Sequence, residues 1–378
     1  MKLLFMVPST GRGGAEEYAL KVATEAISKN WVVSAAFSDC PKLETLKKDF
    51  KRLGATYYPL EISDDGRYRF IDELIRFFRM VKLVMKLRPD RAHVTLPWPD
   101  RSTGPLVALS VLKVPTLVVF QLGPWVVPMR KWAKLLRVWG MRRNQQWVSA
   151  SRQNRKMIAE TFGTGEDDIK VIYNSSKIVN IESDIQWAYR KKLRNELGIP
   201  DDSTIILTIG RLDEQKGYEY LVGAAKSVSE RCRKVSFVWV GDGPLRKNLE
   251  KKVVEREFQG KVFFLGHRVD IEALLLASDL FVLPSLHEGG APPFAVMEAV
   301  SCKLPFIVSE ATNAEETFVN GEDGLVCKTQ DSDSLAEKLE WAVQNPEEMR
   351  AMAENAYGKF LKHTERDMVR QTLDMLRA

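Results

Sequence analysis

The sequence predicts an α/β protein of two doubly wound domains, each a parallel sheet covered by helices on both faces. Three observations predict it. Short apolar runs alternate with stretches of helical periodicity, and several runs end in a glycine-bearing loop that opens a helix, the order expected of a parallel sheet. The pattern restarts near residue 180. The charge changes sign there too: residues 1–180 carry 30 Lys and Arg against 17 Asp and Glu, a net of +13, whereas residues 181–378 carry a net of −7. A length of 378 residues suits two domains, at roughly 100–200 residues each. The expected domains are 1–178 and 179–357, with a C-terminal helix, 358–378, rejoining the first.

In the first half, residues 3–7 form a short buried strand, followed by the loop Gly11-Arg12-Gly13-Gly14 and a helix from about Ala15 to Lys29. Strand, glycine loop and helix N-terminus together make an anion site. The loop is not a dinucleotide fingerprint, because Glu16 stands where the third glycine would be. Further strands are expected at 31–37, 56–60, 91–95, 116–121 and 147–150, and helices at 67–87, near 128–142 and from Ser151. The apolar stretch from Gly104 to Pro128 is broken by prolines and Lys113 and reads as buried strands and loops, since a membrane span needs about 20 unbroken apolar residues. His93 is expected at a strand's end, where open α/β sheets bind ligands, although a lone histidine there is often structural. Residues 169–174 read as the last strand before the linker.

In the second half, strand 205–209 runs into Gly210-Arg211-Leu212-Asp213-Glu214-Gln215-Lys216-Gly217. Arg211 and Lys216 beside a strand-end glycine suit a diphosphate, the guanidinium gripping two oxygens and the ammonium supplying a compact charge. Strands 236–240 and 262–265 follow, then helix 271–277. The stretch from Leu280 to Ser309 holds the clearest site. A buried strand stops at Pro284; the turn Glu288-Gly289-Gly290-Ala291 and two prolines open a helix, Phe294 to Ser301. Proline is favoured in a first helical turn, so bare N–H groups and a positive dipole end meet at one point. Glu288 and Glu298 flank it, placed to bond hydroxyls. This suits a nucleotide-sugar diphosphate; the alternative is an ordinary βαβ unit whose glycines only make a turn. Asp331 and Asp333 precede a helix and read as its N-cap rather than a metal pair.

Composition excludes other classes. Cys40, Cys232, Cys302 and Cys327 are scattered, which reads as reduced thiols in a reducing compartment. His and Cys nowhere cluster as metal ligands, and the N-terminal apolar run is too short for a signal peptide.

The segments GRLDEQKG, GDGPLRKNLE, FLGHRVDIEALLLASDLFVLPSLHEG, MEAVSCKLPFIVS and NGEDGLVC resemble, in kind and order, those of glycosyltransferase family 4, retaining enzymes of the two-Rossmann-domain GT-B architecture whose domains face across a cleft. The second half matches nearly throughout; the first matches more weakly, through Gly11–Glu16, His93 and the segment ending at Asn174. The resemblance implies that Arg211 and Lys216, beside Gly210, bind a donor diphosphate, that Glu298 bonds the ribose, and that Gly289, Gly290 and Ala291 offer N–H groups to sugar and phosphate. It implies that the segment ending at Arg268 holds the base, that Gly13 and Gly14 close over the diphosphate, and that His93 stands near the sugar. The family's two glutamates are usually separated by seven residues, and here nine lie between Glu288 and Glu298. Either the loop bulges and Glu288 still reaches the sugar, or backbone groups replace it.

The implied reaction is transfer of a sugar from a UDP-, GDP- or ADP-sugar to a glycan or lipid-linked acceptor in cell-surface polysaccharide or glycolipid synthesis. No cofactor, metal or nucleic acid is expected. An epimerase, a phosphorylase or a non-catalytic nucleotide-sugar-binding protein are the alternatives. A cytoplasmic location is expected, with an anionic membrane surface as a further partner. Residues 101–159 hold 11 Lys and Arg and no Asp or Glu. Within them Trp132, Leu135, Leu136 and Trp139 recur at helical spacing opposite Arg130, Lys134 and Arg137, with Trp125 and Trp147 flanking. Either the Trp/Leu face enters a bilayer interface or it packs on the domain's own sheet.

Overall fold

The computed structural model describes residues 1–60, 70–99, 101–121 and 129–378. Trp125, and the starts expected for the helices at 67 and 128, lie outside these residues. The chain divides into two compact units: Met1–Tyr173 with Asp367–Ala378, and Asn174–Arg366. Against the expected 178 and 358, the first boundary falls earlier and the return later. The reason is packing: Phe360 is buried in the core of the second unit, Ser175 Oγ donates to the His363 carbonyl at 2.6 Å, and the Glu365 amide donates to the Ser176 carbonyl at 2.8 Å.

The first unit holds β1 (Lys2–Val7), α1 (Gly14–Ser28), β2 (Val32–Phe37), α2 (Glu44–Arg52), β3 (Thr56–Pro59), α3 (Phe70–Leu87), β4 (Arg91–Leu96), α4 (Thr103–Val111), β5 (Thr116–Phe120), α5 (Lys131–Asn144), β6 (Gln145–Ser149), α6 (Arg152–Phe162) and β7 (Ile169–Val171). Its sheet runs β3-β2-β1-β4-β5-β6-β7, parallel throughout. The second unit holds α7 (Ser183–Leu197), β8 (Thr204–Ile209), α8 (Tyr218–Arg231), β9 (Val235–Val240), α9 (Arg246–Glu255), β10 (Val262–Gly266), α10 (Ile271–Ala277), β11 (Leu280–Leu283), α11 (Phe294–Ser301), β12 (Phe306–Ser309), β13 (Leu325–Cys327), α12 (Ser332–Gln344) and α13 (Pro346–Phe360). Its sheet, β10-β9-β8-β11-β12-β13, is also parallel. A last helix, α14 (Glu365–Arg377), returns to the first unit.

Strand alternation builds both faces of the second sheet. Successive strand side chains point to opposite sides, so Ile206, Phe237, Trp239 and Val282 pack with α8 and α12. Their neighbours Ile205, Leu207, Val238, Phe281 and Leu283 pack with α7, α10 and α11. In each sheet the winding direction reverses once, between β1 and β4 and between β8 and β11. A crevice at the carboxyl ends of the strands is expected at such a reversal.

Four helices were not legible in the pattern: α2, α4, α7 and α9. The clearest correction is α4, in a stretch read as strands and loops. It is buried nearly all round, so it has no polar face to reveal a helical period. Pro105 sits in its first turn, where proline is tolerated. Gly104 packs so tightly against α3 that a Cβ there would lie 2.1 Å from the Glu73 carbonyl oxygen.

Candidate functional site

Both loops of the second unit's reversal point lie at the carboxyl ends of neighbouring strands, and they are tied together. The β8 loop, 210–217, gives its Gln215 carbonyl to the Leu286 amide at 2.7 Å, and the Gln215 side-chain amide donates to the His287 carbonyl at 3.1 Å. Gly217 is in the left-handed region at φ +68°, and a Cβ there would stand 2.0 Å from the Pro284 carbonyl oxygen. A side chain at this position would separate the two loops. The same contact brings Lys216 onto Glu288: their side chains are ion-paired and mostly buried, and Ser285 Oγ donates to the same Glu288 oxygen at 2.7 Å. Among the groups sequence reasoning had not marked, Ser285 and Gln215 now have positioning roles. Their partners come from a different strand's loop, so no local spacing could announce them.

Arg211 starts the same loop. Its guanidinium is ion-paired with Asp213 at 2.7 Å, and its side chain stays two-thirds exposed. Gly210 packs against the Lys216 side chain. Gly289, Gly290 and Ala291 are buried in the turn before α11, and Pro293 is the N-cap of that helix, so the turn that starts at Glu288, the partner of Lys216, leads into a helix N-terminus. Glu298 lies on α11, half-buried. The structure therefore brings Lys216, beside Gly210, onto Glu288 at the start of the turn 289–291, while Arg211 shares the Lys216 loop and is held by Asp213. Two cations, each ion-paired with a carboxylate, and a helix N-terminus lie on the loops of one sheet reversal, a place where open α/β sheets bind ligands. Burial depresses the pKa of the adjacent His287, which favours the neutral ring.

Arg268, on the loop after β10, is more heavily engaged than its sequence role implied. Its guanidinium bonds both Asp270 oxygens, at 2.8 and 2.7 Å, and Glu196 at 2.7 Å. These carboxylates, Asp270 foremost, hold its pKa above the ordinary arginine value.

In the first unit the glycine loop is closed on itself. The Gly13 amide donates to Glu16 Oε2 at 2.7 Å, with Gly14 opening α1. Glu16 is buried, and burial raises its pKa. The residue in the third glycine's place thus occupies a backbone donor itself. Sequence reasoning noted its identity but missed this capping role, which the spacing from Gly13 to Glu16 could have signalled.

His93 requires a correction. It lies inside β4 rather than at its end, in register with Phe5 and Leu117. Its side chain is fully buried, with its ring 4.8 Å from Phe5 and 5.9 Å from Tyr18. Nδ1 lies 3.3 Å from Thr95 Oγ1, and burial lowers the pKa to about 3. It is a neutral core histidine, so the strand-end reading does not hold; its place near a sugar rested on the resemblance alone. Asp331 does cap α12, accepting from the Ser334 amide at 2.8 Å. Among the described residues no three His, Cys, Asp or Glu gather as metal ligands.

With this geometry in view, comparison with known proteins is informative. Residues 189–359, all in the second unit, match the family model of glycosyl transferases group 1. Over 202 residues the chain is 30% identical to an uncharacterized glycosyltransferase of Methanocaldococcus jannaschii, covering 52% of this chain and 50% of that one. It is 35% identical over 168 residues to an Escherichia coli UDP-Gal:α-D-GlcNAc-diphosphoundecaprenol α-1,3-galactosyltransferase, covering 44% and 43%. The chain spans about half the length of the curated relatives it matches. Among solved structures, Anabaena HepE with UDP-glucose superposes with a TM-score of 0.81 at 19% identity, over 100% of this chain and 99% of that one. A Rickettsia africae glycosyltransferase gives 0.82 at 17% identity, over 100% and 97%. The fold is that of the GT-B proteins: two Rossmann-like domains, each with its own parallel sheet.

Proposed function

We propose that the chain is a glycosyltransferase of family 4 that moves a sugar from a nucleotide-diphosphate sugar to a glycan or lipid-linked acceptor, with retention at the anomeric carbon. The observation that carries this reading is the pairing of Lys216 with Glu288 across the two loops of the β8–β11 reversal, with Arg211 on one loop and the turn before α11 on the other, inside the segment that matches the group 1 model. The lipid-linked acceptors named for the E. coli relative and for a Campylobacter jejuni N-acetylgalactosaminyltransferase, 31% identical over 238 residues, support the acceptor class. HepE complexes with UDP and UDP-glucose support the donor class.

The departing nucleoside diphosphate gains negative charge as the glycosidic bond breaks. Lys216 has three N–H groups; Glu288 takes one and fixes the amine, leaving two for diphosphate oxygens. Arg211 offers a second cation, and the α11 N-terminus a fixed dipole. Groups pre-aimed at developing charge are worth ~3–4 kcal/mol each. The developing charge is assigned to these groups, and the reaction is proposed to need no metal. With its carboxylate held by Lys216 and Ser285, Glu288 acts through Lys216, and the amides of the 289–291 turn take the sugar contacts. Glu298 is assigned the ribose hydroxyls, and the loop carrying Arg268 the base. In a retaining course the acceptor attacks from the leaving-group face and its proton passes to the departing phosphate. The working location proposed is the cytoplasmic face of a membrane.

The test is a panel of UDP-, GDP- and ADP-sugars incubated with lipid extract and excess chelator. Labelled sugar should reach an acceptor from one donor, with an α-linkage from an α-donor. Lys216→Ala and Arg211→Ala should each lower turnover ~100-fold or more while the protein stays folded. An epimerised free nucleotide sugar, or donor binding with no transfer from any donor, would overturn the reading.

A further inference from the structure

The orientation of α5 is the reverse of that expected for a core helix. Its inward positions are Ala133, Arg137 and Gly140, while Leu135 is 70% and Trp139 39% exposed. The Arg137 guanidinium lies within 5.2 to 5.8 Å of the ring centroids of Phe120, Trp147 and Phe162 and donates to the Arg101 carbonyl at 2.9 Å. Stacking on these rings offsets part of the cost of burying the cation. The reading in which the Trp/Leu face packs on the domain's own sheet is therefore wrong, and so is the placing of Arg137 on a solvent face.

A second helix extends the same surface. Both α3 and α5 pack against the buried α4, and Phe70 of α3 meets Trp132 of α5 edge to face at 5.3 Å. Beyond that contact α3 exposes Ile71, Leu74, Ile75 and Phe78, with Phe78 at 58%. Two helices that pack on α4 and touch through this ring pair thus each expose a row of apolar side chains. Soluble proteins seldom expose so many large apolar side chains together unless something covers them. The flanking exposed side chains decide what that is: Lys82 and Lys86 on α3, and Lys131, Arg142 and Arg143 on α5. Arg143 lies over the Trp139 ring at 5.2 Å. α5 and its surroundings from 101 to 159 contain no acidic residue.

We infer that the outer face of α3 and α5 rests on an anionic lipid bilayer, with Trp139, Leu135 and Phe78 in the interface and Lys131, Arg142 and Arg143 at the headgroups. Aromatic and aliphatic side chains bordered by cations fit a surface that is apolar within and negative at its edge. No helix among the described residues is long and apolar enough to cross a membrane, so the contact is lateral. This deepens the proposed function by naming the surface that meets the membrane, and it rests on that reading only for its biological purpose.

The full chain is mixed with vesicles of phosphatidylcholine alone or with phosphatidylglycerol added, and sedimented. Wild type should pellet with the anionic vesicles, less at high salt, and with neutral vesicles far less. Removing three cations (Lys131→Gln, Arg142→Gln, Arg143→Gln) should lower partitioning on the order of a hundredfold, at roughly fivefold per cation. The pair Leu135→Ser and Trp139→Ser should abolish it, with circular dichroism and nucleoside diphosphate affinity unchanged. Wild type that ignores anionic vesicles at low salt, or that elutes as a dimer dispersed by the serine pair, would overturn the proposal. Vesicle binding with no sugar transfer leaves the docking surface standing and removes the transferase reading; transfer without vesicle binding does the reverse.

Discussion

Lys216 and Glu288 illustrate what a single side chain owes to a distant loop. The Arg–x4–Lys spacing and the Glu-Gly-Gly turn were both legible in the sequence, because each is local. Their pairing was not, since it depends on β8 and β11 lying side by side. His93 was misread for the same reason: sequence shows an isolated histidine near a strand's end, but not the Phe5 and Tyr18 rings that enclose it. Its burial has a consequence for pH. The folded-state pKa is held at about 3, below the ordinary ~6.5. Between those values the unfolded chain binds a proton at His93 and the folded chain does not, so stability falls as pH falls through that window. Glu16, raised by burial, acts oppositely: its contribution is present at low pH and lost as pH rises through its folded value. Chemical denaturation at pH 6.5 and 4 should show wild type losing up to ~3 kcal/mol more than His93→Asn. Equal losses in the two proteins would contradict the assignment.

At the level of elements, strands were easy to read and some helices were not. Buried parallel strands are near-continuous apolar runs; β1 and β11 have that form and stop at a proline, while β8 and β9 carry only Thr or Ser among their apolar residues and lead to a glycine. An all-apolar helix such as α4 carries no period, and α5 carries a period whose two faces the sequence cannot assign to inside and outside. The β8–β11 loop pair yields the prediction at this scale. Gly217→Ala adds a Cβ at a positive φ and 2.0 Å from the Pro284 carbonyl oxygen. Left-handed strain alone costs ~1–2 kcal/mol, and the clash must be relieved by parting the loops that join Lys216 to Glu288. Thermal unfolding should show a loss of at least ~2 kcal/mol, with donor transfer falling further than stability accounts for. Gly358→Ala, on α13 with no atom within 4 Å of the added Cβ, serves as control and should be neutral or stabilising.

For the whole molecule, the two-domain plan followed from the repeated pattern and the charge asymmetry, but the chain's late return to its first unit follows from packing. Met368, Val369, Leu373 and Leu376 of α14 are buried, Thr372 Oγ1 lies 2.6 Å from the Tyr18 hydroxyl, and Arg377 lies over the Trp31 ring at 5.6 Å. Full burial is worth ~1.5–3 kcal/mol per such side chain, so removing α14 forfeits an amount comparable with a domain's entire ~5–15 kcal/mol. A chain ending at Thr364 should therefore show one calorimetric transition, that of the second unit, where the full chain shows the first unit's as well; two intact transitions would contradict this account. The same helix sets an order of events during synthesis. Residues 174–366 must leave the ribosome before α14 can reach Tyr18, and at ~5–20 residues per second this takes on the order of ten seconds or more. Throughout that interval the second unit, contiguous in sequence, can complete its core while the first still exposes the apolar groove that α14 will fill. Any helper that shields nascent chains should therefore find its target on the amino-terminal unit, and release it last.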